Sequence, residues 1–595
     1  MVPSRIVAIA LAALLVVVPA AGAHATGPSM PVGVSASMAD SQFPLAPGSN
    51  FSTYLGNEER TSSVLSEQLI NLTTAATLHV LWSYDAGGQA VQSQPVEQNG
   101  LVYFGGHSGY EYAVYATNGT LAWRTFLGQA TNDSGCGSAS SRVLGVTSTA
   151  TVSGAVLYVD GGYPYLYALN SSTGAVDWQA PIGNGTNAQG FYDWSSPLIY
   201  HDNAYVGISS QCDEPLVQAG VDEISLTTHQ IVGYFDSSVP AGNGSSIWGS
   251  PSVNPATNTL FVATGNQYGA SPPTVYSESV LALNATTLAV QATWQVPSAQ
   301  AEGDSDFGVT PTLFTPAGGY PMLTAANKNG ILYAFYQSNL TLAWEHRICC
   351  ASSQDEHIST AWGGGLVYAV GATTEIGGVT YGSSVLAFDP LTGSIVWEKG
   401  FSQSSYKGYA APLWVNQVLI VPDQGTLLVL NAETGAVLYQ DTVSDQFVAA
   451  ASLSRGEVFA GSSNDHVYAY DLSLALIARD SRSAGAAPLP DTFHATASGG
   501  LPPYTYGWTF GDGGTSTLQD PSHTFVKAGT YHVKVVVSDL AGTVATKHLT
   551  VRVTHGSGEP FAPTGAAPMA FAPLTQARVA SRPRNAKMVP AVPEV

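Results

Sequence analysis

Three stretches of this chain repeat one phrase: LYALNSSTGAVDW from Leu166 to Trp178, VLAFDPLTGSIVW from Val385 to Trp397, and LLVLNAETGAVLY from Leu427 to Tyr439. Each alternates apolar and polar residues, turns at an Asn/Asp-x-x-Thr-Gly cluster, and resumes in an apolar run that ends on an aromatic. Alternation places every second side chain on one face of a strand and the Gly-containing cluster reverses the chain, so each copy predicts a β-hairpin. A hairpin that returns at roughly 40 to 50 residues is one half of a four-stranded blade, and the expected fold is all-β, a β-propeller.

Aligned on the closing aromatic, the copies end at Trp123, Trp178, Phe235, Trp294, Trp344, Trp397 and Tyr439. A further copy begins at Phe447 and stops after its third strand, at Ser473, with no closing strand. LHVLW, Leu78 to Trp82, is a closing strand with no strands before it. Pairing it with the incomplete copy closes the ring and removes two open sheet edges. The expectation is therefore eight blades over residues 51–476, or seven if the degenerate third copy is a long insertion.

Residues 1–25 read as a secretory signal, with Arg5, an apolar stretch from Ile6 to Val18 and a small-residue run at 21–25. No later segment approaches the roughly 20 uninterrupted apolar residues that span a bilayer, so a secreted or cell-surface protein without a transmembrane segment is expected. Residues 26–50 read as a linker. The 62 Gly and 35 Pro of the 595 residues suit a turn-rich β chain, and a net charge of −22 excludes nucleic acid as an expected partner. Asn-x-Ser/Thr sequons from Asn50 to Asn339 fit an exported glycoprotein, although several fall in hairpin turns, which favour Asn and Thr anyway. Cys136, Cys212, Cys349 and Cys350 lack CxxC or CxxCH spacing, so no zinc or covalent haem is expected. In an exported chain, disulfides between Cys136 and Cys212 and between Cys349 and Cys350 are expected.

Residues 477–490 read as a second linker. Beyond it Trp508, Phe510, Gly511-Asp512-Gly513, Pro521, His523-Thr524-Phe525, Gly529-Thr530-Tyr531 and Asp539 stand in an order that closely resembles the polycystic-kidney-disease (PKD) domain. That resemblance implies an immunoglobulin-like β-sandwich at 491–554, with Thr509 where the family usually has Asp. Residues 555–595, rich in Ala, Pro and Arg, read as a disordered tail.

In a propeller the start of a blade's first strand and the end of its second meet at one rim. Blade three brings Ser196 and Glu214 to that rim, blade four Trp248 and Asn266, and blade five Asp306 and Lys328. Oxygen donors suit calcium, a flat indole suits stacking, and a lysine beside an acid tunes its charge. IWGSPSVNPATNTLFVATGN, followed by DSDF, TPTL and ANKNGILYAF, resembles the quinoprotein alcohol dehydrogenases, eight-bladed propellers that bind pyrroloquinoline quinone (PQQ) and calcium. The resemblance implies Glu214, Asn266 and Asp306 as calcium ligands and Trp248 as the residue stacking on the quinone. It makes Ser196 a cofactor contact, Asp306 the catalytic base and Lys328 the basic residue beside the quinone carbonyls. The intervals from Ser196 to Glu214 and from Trp248 to Asn266 agree with that family's spacing. Ser305 departs from it, standing where the family usually has Trp, and the vicinal cysteines come later than is usual there.

The expected function is a secreted dehydrogenase that uses PQQ and calcium, without haem, to oxidise an alcohol or sugar and pass electrons to an acceptor. The alternative is a noncatalytic extracellular protein whose propeller binds a surface glycan or protein and whose PKD domain is a spacer or adhesion module.

Overall fold

The computed structural model describes residues 50–87, 90–131, 143–183, 185, 190–210, 215–267, 274–349, 358–402, 410–500, 503–540 and 542–555. Eight sheets follow one another around an axis, each an antiparallel run of four strands ordered from the axis outward, with one extra short strand in the third. Blade one comprises Val96–Gln98, Leu101–Gly105, Tyr110–Tyr115 and Leu121–Phe126. Blade eight takes Ser452–Ser454, Glu457–Gly461 and His466–Leu472 from the end of the ring and Leu78–Asp85 from its beginning, with Leu78 opposite Leu472 and Asp85 opposite His466. The unpaired LHVLW strand thus closes the ring, and the third copy is a blade in its own right.

The recurring phrase owes its composition to contacts between blades. Trp123, closing blade one, donates from Nε1 to Ser171 O of the next blade's turn at 2.8 Å. Its ring covers Gly174, which has φ +70° and whose added Cβ would fall 2.4 Å from Trp123 Cε3. Trp82, Trp344 and Trp397 repeat this against Gly119, Gly393 and Gly435. Asn170 completes the turn, its Oδ1 accepting from the N–H groups of Ser172 and Thr173. The core consists of apolar layers packed between blades.

Two devices bind the first strands together. The main chain of residues 51–62 runs across them, with Val152 donating to Ser52 O, Val253 to Glu58 O, Leu313 to Glu59 O, Trp362 to Thr61 O and Trp414 to Ser62 O, all at 2.7–3.0 Å. Arg60, fully buried, is held by Pro251 O at 3.1 Å, Tyr54 O at 2.7 Å and Thr53 Oγ1 at 2.8 Å. Around the axis, Gln94 N–H donates to Thr149 Oγ1, Thr149 to Ser196 Oγ, Ser196 to Ser250 Oγ, Ser250 to Thr310 Oγ1 and Thr310 to Ser359 Oγ, at 2.8–3.0 Å.

After blade eight, two sheets form a sandwich around Trp508, Phe510, Phe493 and Val535. Residues 477–490 are not a linker. Ala475–Asp480 pairs with Leu489–Ser498, and Ala484–Ala486 pairs with Val544–Thr554. The sandwich therefore begins within a few residues of the last propeller strand, because the Ala- and Pro-rich composition of this stretch conceals two short edge strands. His523 is stacked 4.1 Å from Phe510 and bonded to Asp512 Oδ2 at 2.8 Å, so these family-pattern residues are structural.

The signal segment and most of the first linker, the tail beyond His555, Cys136, Cys212, Cys350 and Glu214 lie outside the described residues. Among the described residues no helix is long and apolar enough to cross a membrane.

Candidate functional site

The second strand of blade four ends at Ala263, and Asn266 follows in a tight passage where a Cβ on Gly265 would lie 2.7 Å from Asp306 Oδ1. That closeness lets Asn266 N–H donate to Asp306 Oδ1 at 2.5 Å. Asp306 Oδ2 accepts from Lys328 Nζ at 2.6 Å, and Lys328 N–H donates to Asp306 O at 3.0 Å, which ties the two ends of blade five's rim together. Lys328 also reaches Asp304 Oδ1 at 3.2 Å, and the same oxygen accepts from Asn266 Nδ2 at 3.2 Å. The ammonium stands 5.1 Å from the centre of the Trp248 ring. Gly308 makes room for that indole, since a Cβ there would lie 2.1 Å from Trp248 Cη2.

Four of the residues selected from the sequence therefore meet: Trp248, Asn266, Asp306 and Lys328. Ser196 makes no hydrogen bond to any of them. Its hydroxyl accepts from Thr149 and is a rivet in the ring of seam hydroxyls. Ser305, at the position of the family's tryptophan, is fully buried and bonded to the main chain of Glu302, so it offers no stacking face. Two members of the group escaped selection. Asp304 reads in sequence as an ordinary turn acid, and Glu278 lies in the turn just before the third strand of blade four, Ser279–Asn284, a place the strand order does not single out. The Asp-x-Asp spacing, which can bring two carboxylates to one side of a bend, was the available signal for Asp304.

The electrostatics favour a cation. Burial, then the Asp306 charge, pushes the Asp304 carboxyl up to about 6 against the pull of Lys328. Burial, then Asp306 and Asp304, pushes Glu278 up to about 7. Burial would lower Lys328, but the neighbouring carboxylates outweigh it and hold the ammonium above its ordinary value. Asp304 and Asp306 thus share one ammonium, with Glu278 a further acid nearby, and Asn266 Oδ1 accepts no hydrogen bond from a described residue. Among the described residues the group offers hard oxygen donors without sulfur or imidazole, next to a half-buried indole, a chemistry that suits calcium and a planar anion.

Comparison with known proteins agrees with this architecture. The family described as "Outer membrane protein assembly factor BamB" matches residues 62–223 and 381–488, and the family described as "PKD domain" matches 475–553. Among solved structures, a europium-containing methanol dehydrogenase is similar at 15% identity with a TM-score of 0.57, covering 71% of this chain and 98% of that one. The quinohemoprotein alcohol dehydrogenase of Comamonas testosteroni is similar at 16% identity and TM-score 0.57, covering 71% and 80%. Quinohemoprotein alcohol dehydrogenase ADHIIG of Pseudomonas putida HK5 gives 16% and 0.58 over the same shares. At these identities the likeness is one of fold. The chain is an eight-bladed propeller of PQQ-type repeats, with the architecture of the quinoprotein alcohol dehydrogenases, followed by a PKD domain.

Proposed function

We propose that the rim of blades four and five binds pyrroloquinoline quinone beside a calcium ion, and that the exported protein oxidises a small alcohol or sugar there. The observation that carries this reading is the meeting of Asp304, Asp306, Asn266 and Lys328 beside the Trp248 indole. When bound, the quinone would supply the hydride acceptor and calcium the Lewis acid. Asn266 Oδ1 and the Asp306 carboxylate would hold the calcium, and Glu214 would join them on the resemblance alone. Trp248 is the flat platform.

The chain's own groups handle the proton. Asp306 takes it from the substrate hydroxyl at Oδ2. Lys328 loses part of its charge balance at that moment but keeps Asp304 at 3.2 Å, so the ammonium is never left unpaired. Asp304, about one-third exposed, is placed to pass the proton to solvent. With the Asp304 carboxyl at about 6, kcat/KM rises as pH is raised through that value and this group becomes ionised. The Asp304→Asn variant loses that limb of the profile.

The test is dye reduction by the full-length protein reconstituted with PQQ and calcium, over a panel of alcohols and sugars. The Asp306→Asn variant is expected to lose turnover by at least about 100-fold while keeping the quinone. If the wild-type protein neither binds the quinone nor reduces dye, the dehydrogenase reading fails. A noncatalytic surface platform is the reading then left, favoured by the match of the assembly-factor family to blades on both sides of residues 224–380.

A further inference from the structure

Strand pairing puts the eight blades in register. At the position of the second strand three residues beyond the one paired with the middle of the first, Asp160 stands in blade two. The other seven blades have glycine, alanine, valine or proline there, with Gly105 and Gly207 in its two neighbours. Asp193 of blade three departs in the same way. It lies three residues ahead of the seam position, where the described blades otherwise carry Val91, Val146, Ile247, Phe307 and Phe447.

These two departures face each other. At the preceding junction a Cβ on Gly105 would lie 2.4 Å from Val146 Cγ1, and at the ring closure one on Gly461 would lie 2.9 Å from Val91 Cγ1. The second-strand position of one blade thus abuts the seam residue of the next, and between blades two and three that pair is Asp160 and Asp193. Thr147 and Ser148 hold both: Ser148 Oγ accepts from Asp160 N–H at 3.3 Å, and Thr147 Oγ1 donates to Asp193 O at 3.2 Å.

Asp160 is 0% exposed and Asp193 2%. Among the described residues no donor stands in good hydrogen-bond geometry to either Asp160 oxygen, the nearby Ser148 hydroxyl included, or to Asp193 Oδ2, and Asp193 Oδ1 accepts from Ser195 N–H at 3.0 Å. Burial pushes both carboxyls well above their ordinary range, the Ser148 hydroxyl easing Asp160 and the Asp160 charge adding to Asp193. Apolar residues would pack this seam better than two neutral acids, as they do in the other blades.

We infer that the seam between blades two and three holds a hard divalent cation of the calcium class, bridged by the Asp160 and Asp193 carboxylates. Calcium takes oxygen ligands and accepts bidentate carboxylates. No group of three His, Cys, Asp or Glu side chains converges on a metal position among the described residues. Water or main-chain oxygen therefore completes the shell. The ion locks blade two to blade three and owes nothing to the quinone site of blades four and five.

The experiment counts calcium bound by the full chain after stripping with EDTA, using calorimetric titration with calcium chloride. Wild type is compared with a seam variant, Asp160→Ala with Asp193→Val, and a rim variant, Asp304→Asn with Asp306→Asn. The seam variant is expected to bind about one calcium fewer than wild type and to lose the calcium-dependent rise in Tm, while the rim variant, which gives up only the rim donor Asp306, keeps the seam ion and that rise. Equal stoichiometry in wild type and seam variant overturns the inference. Should the seam variant not fold, the rim variant decides alone: about one ion bound upholds the site, and none, with stability tracking only pH, replaces the ion by a shared proton.

Discussion

At the scale of single residues, position rather than residue type decides what a side chain does. Gly174 and Gly154 both have positive φ, +70° and +63°, yet only Gly174 lies beneath a tryptophan, and nothing stands within 4 Å of a Cβ on Gly154. Alanine at Gly154 pays only the left-handed backbone cost, about 1 kcal/mol, whereas alanine at Gly174 must also displace the Trp123 ring, for a total of about 2–4 kcal/mol. Apparent urea midpoints of Gly154→Ala and Gly174→Ala should separate accordingly, and equal losses would contradict the docking of each closing tryptophan on the next blade's turn. The same contrast limits what could be read of the site. Trp248, Asn266, Asp306 and Lys328 were legible because their rim positions follow from strand order. Asp304 and Glu278 were not, because nothing in a sequence distinguishes a turn acid from one pressed against a second carboxylate. Ser196 shows the converse, since a hydroxyl at such a position serves a seam as readily as a ligand, and here it accepts from Thr149 N–H.

At the scale of elements, the blades were legible because their periodicity is local, within about a dozen residues of each turn. The strand borrowed by blade eight was legible because a closing strand without predecessors is a visible surplus. Residues 51–62 were not, since they have no period and bond to strands that begin between 96 and 413. Their role gives a distinct expectation. The Arg60→Met variant leaves Tyr54 O and Pro251 O without their buried donor, at a cost of about 2–4 kcal/mol. In hydrogen exchange, the amides of Val253, Leu313, Trp362 and Trp414 should lose protection first, with the outer strands of the same blades unaffected. Uniform loss across all four strands would mean that the segment does not act as an inner belt.

At the scale of the whole molecule, the propeller carries an unusual load of buried acid. Burial raises Glu111, Asp160 and Asp193 well above their ordinary range, Asp222 and Glu278 to about 7, and Glu457 to about 8. A carboxyl raised on folding binds its proton more tightly in the native state, so its stabilising effect is complete at low pH and is lost as pH rises from the unfolded value near 4 through the folded one. Without calcium, Tm should fall between pH 5 and pH 8, the growing net negative charge acting in the same direction. Calcium should flatten that slope by replacing protons at the carboxylates. A calorimetric Tm that is level or rises over this range in EDTA would refute the proton-loaded core.

Repeats, ring closure and sandwich place the rim, but only the rim decides whether the ring is an enzyme. The most direct measurement is equilibrium binding of pyrroloquinoline quinone to the full-length protein with and without calcium, followed by quenching of tryptophan emission. About one quinone per chain is expected to bind in calcium, with little binding in EDTA and at least about 10-fold weaker binding in the Trp248→Ala variant. Binding that ignores both calcium and Trp248, or no binding at all, would contradict it.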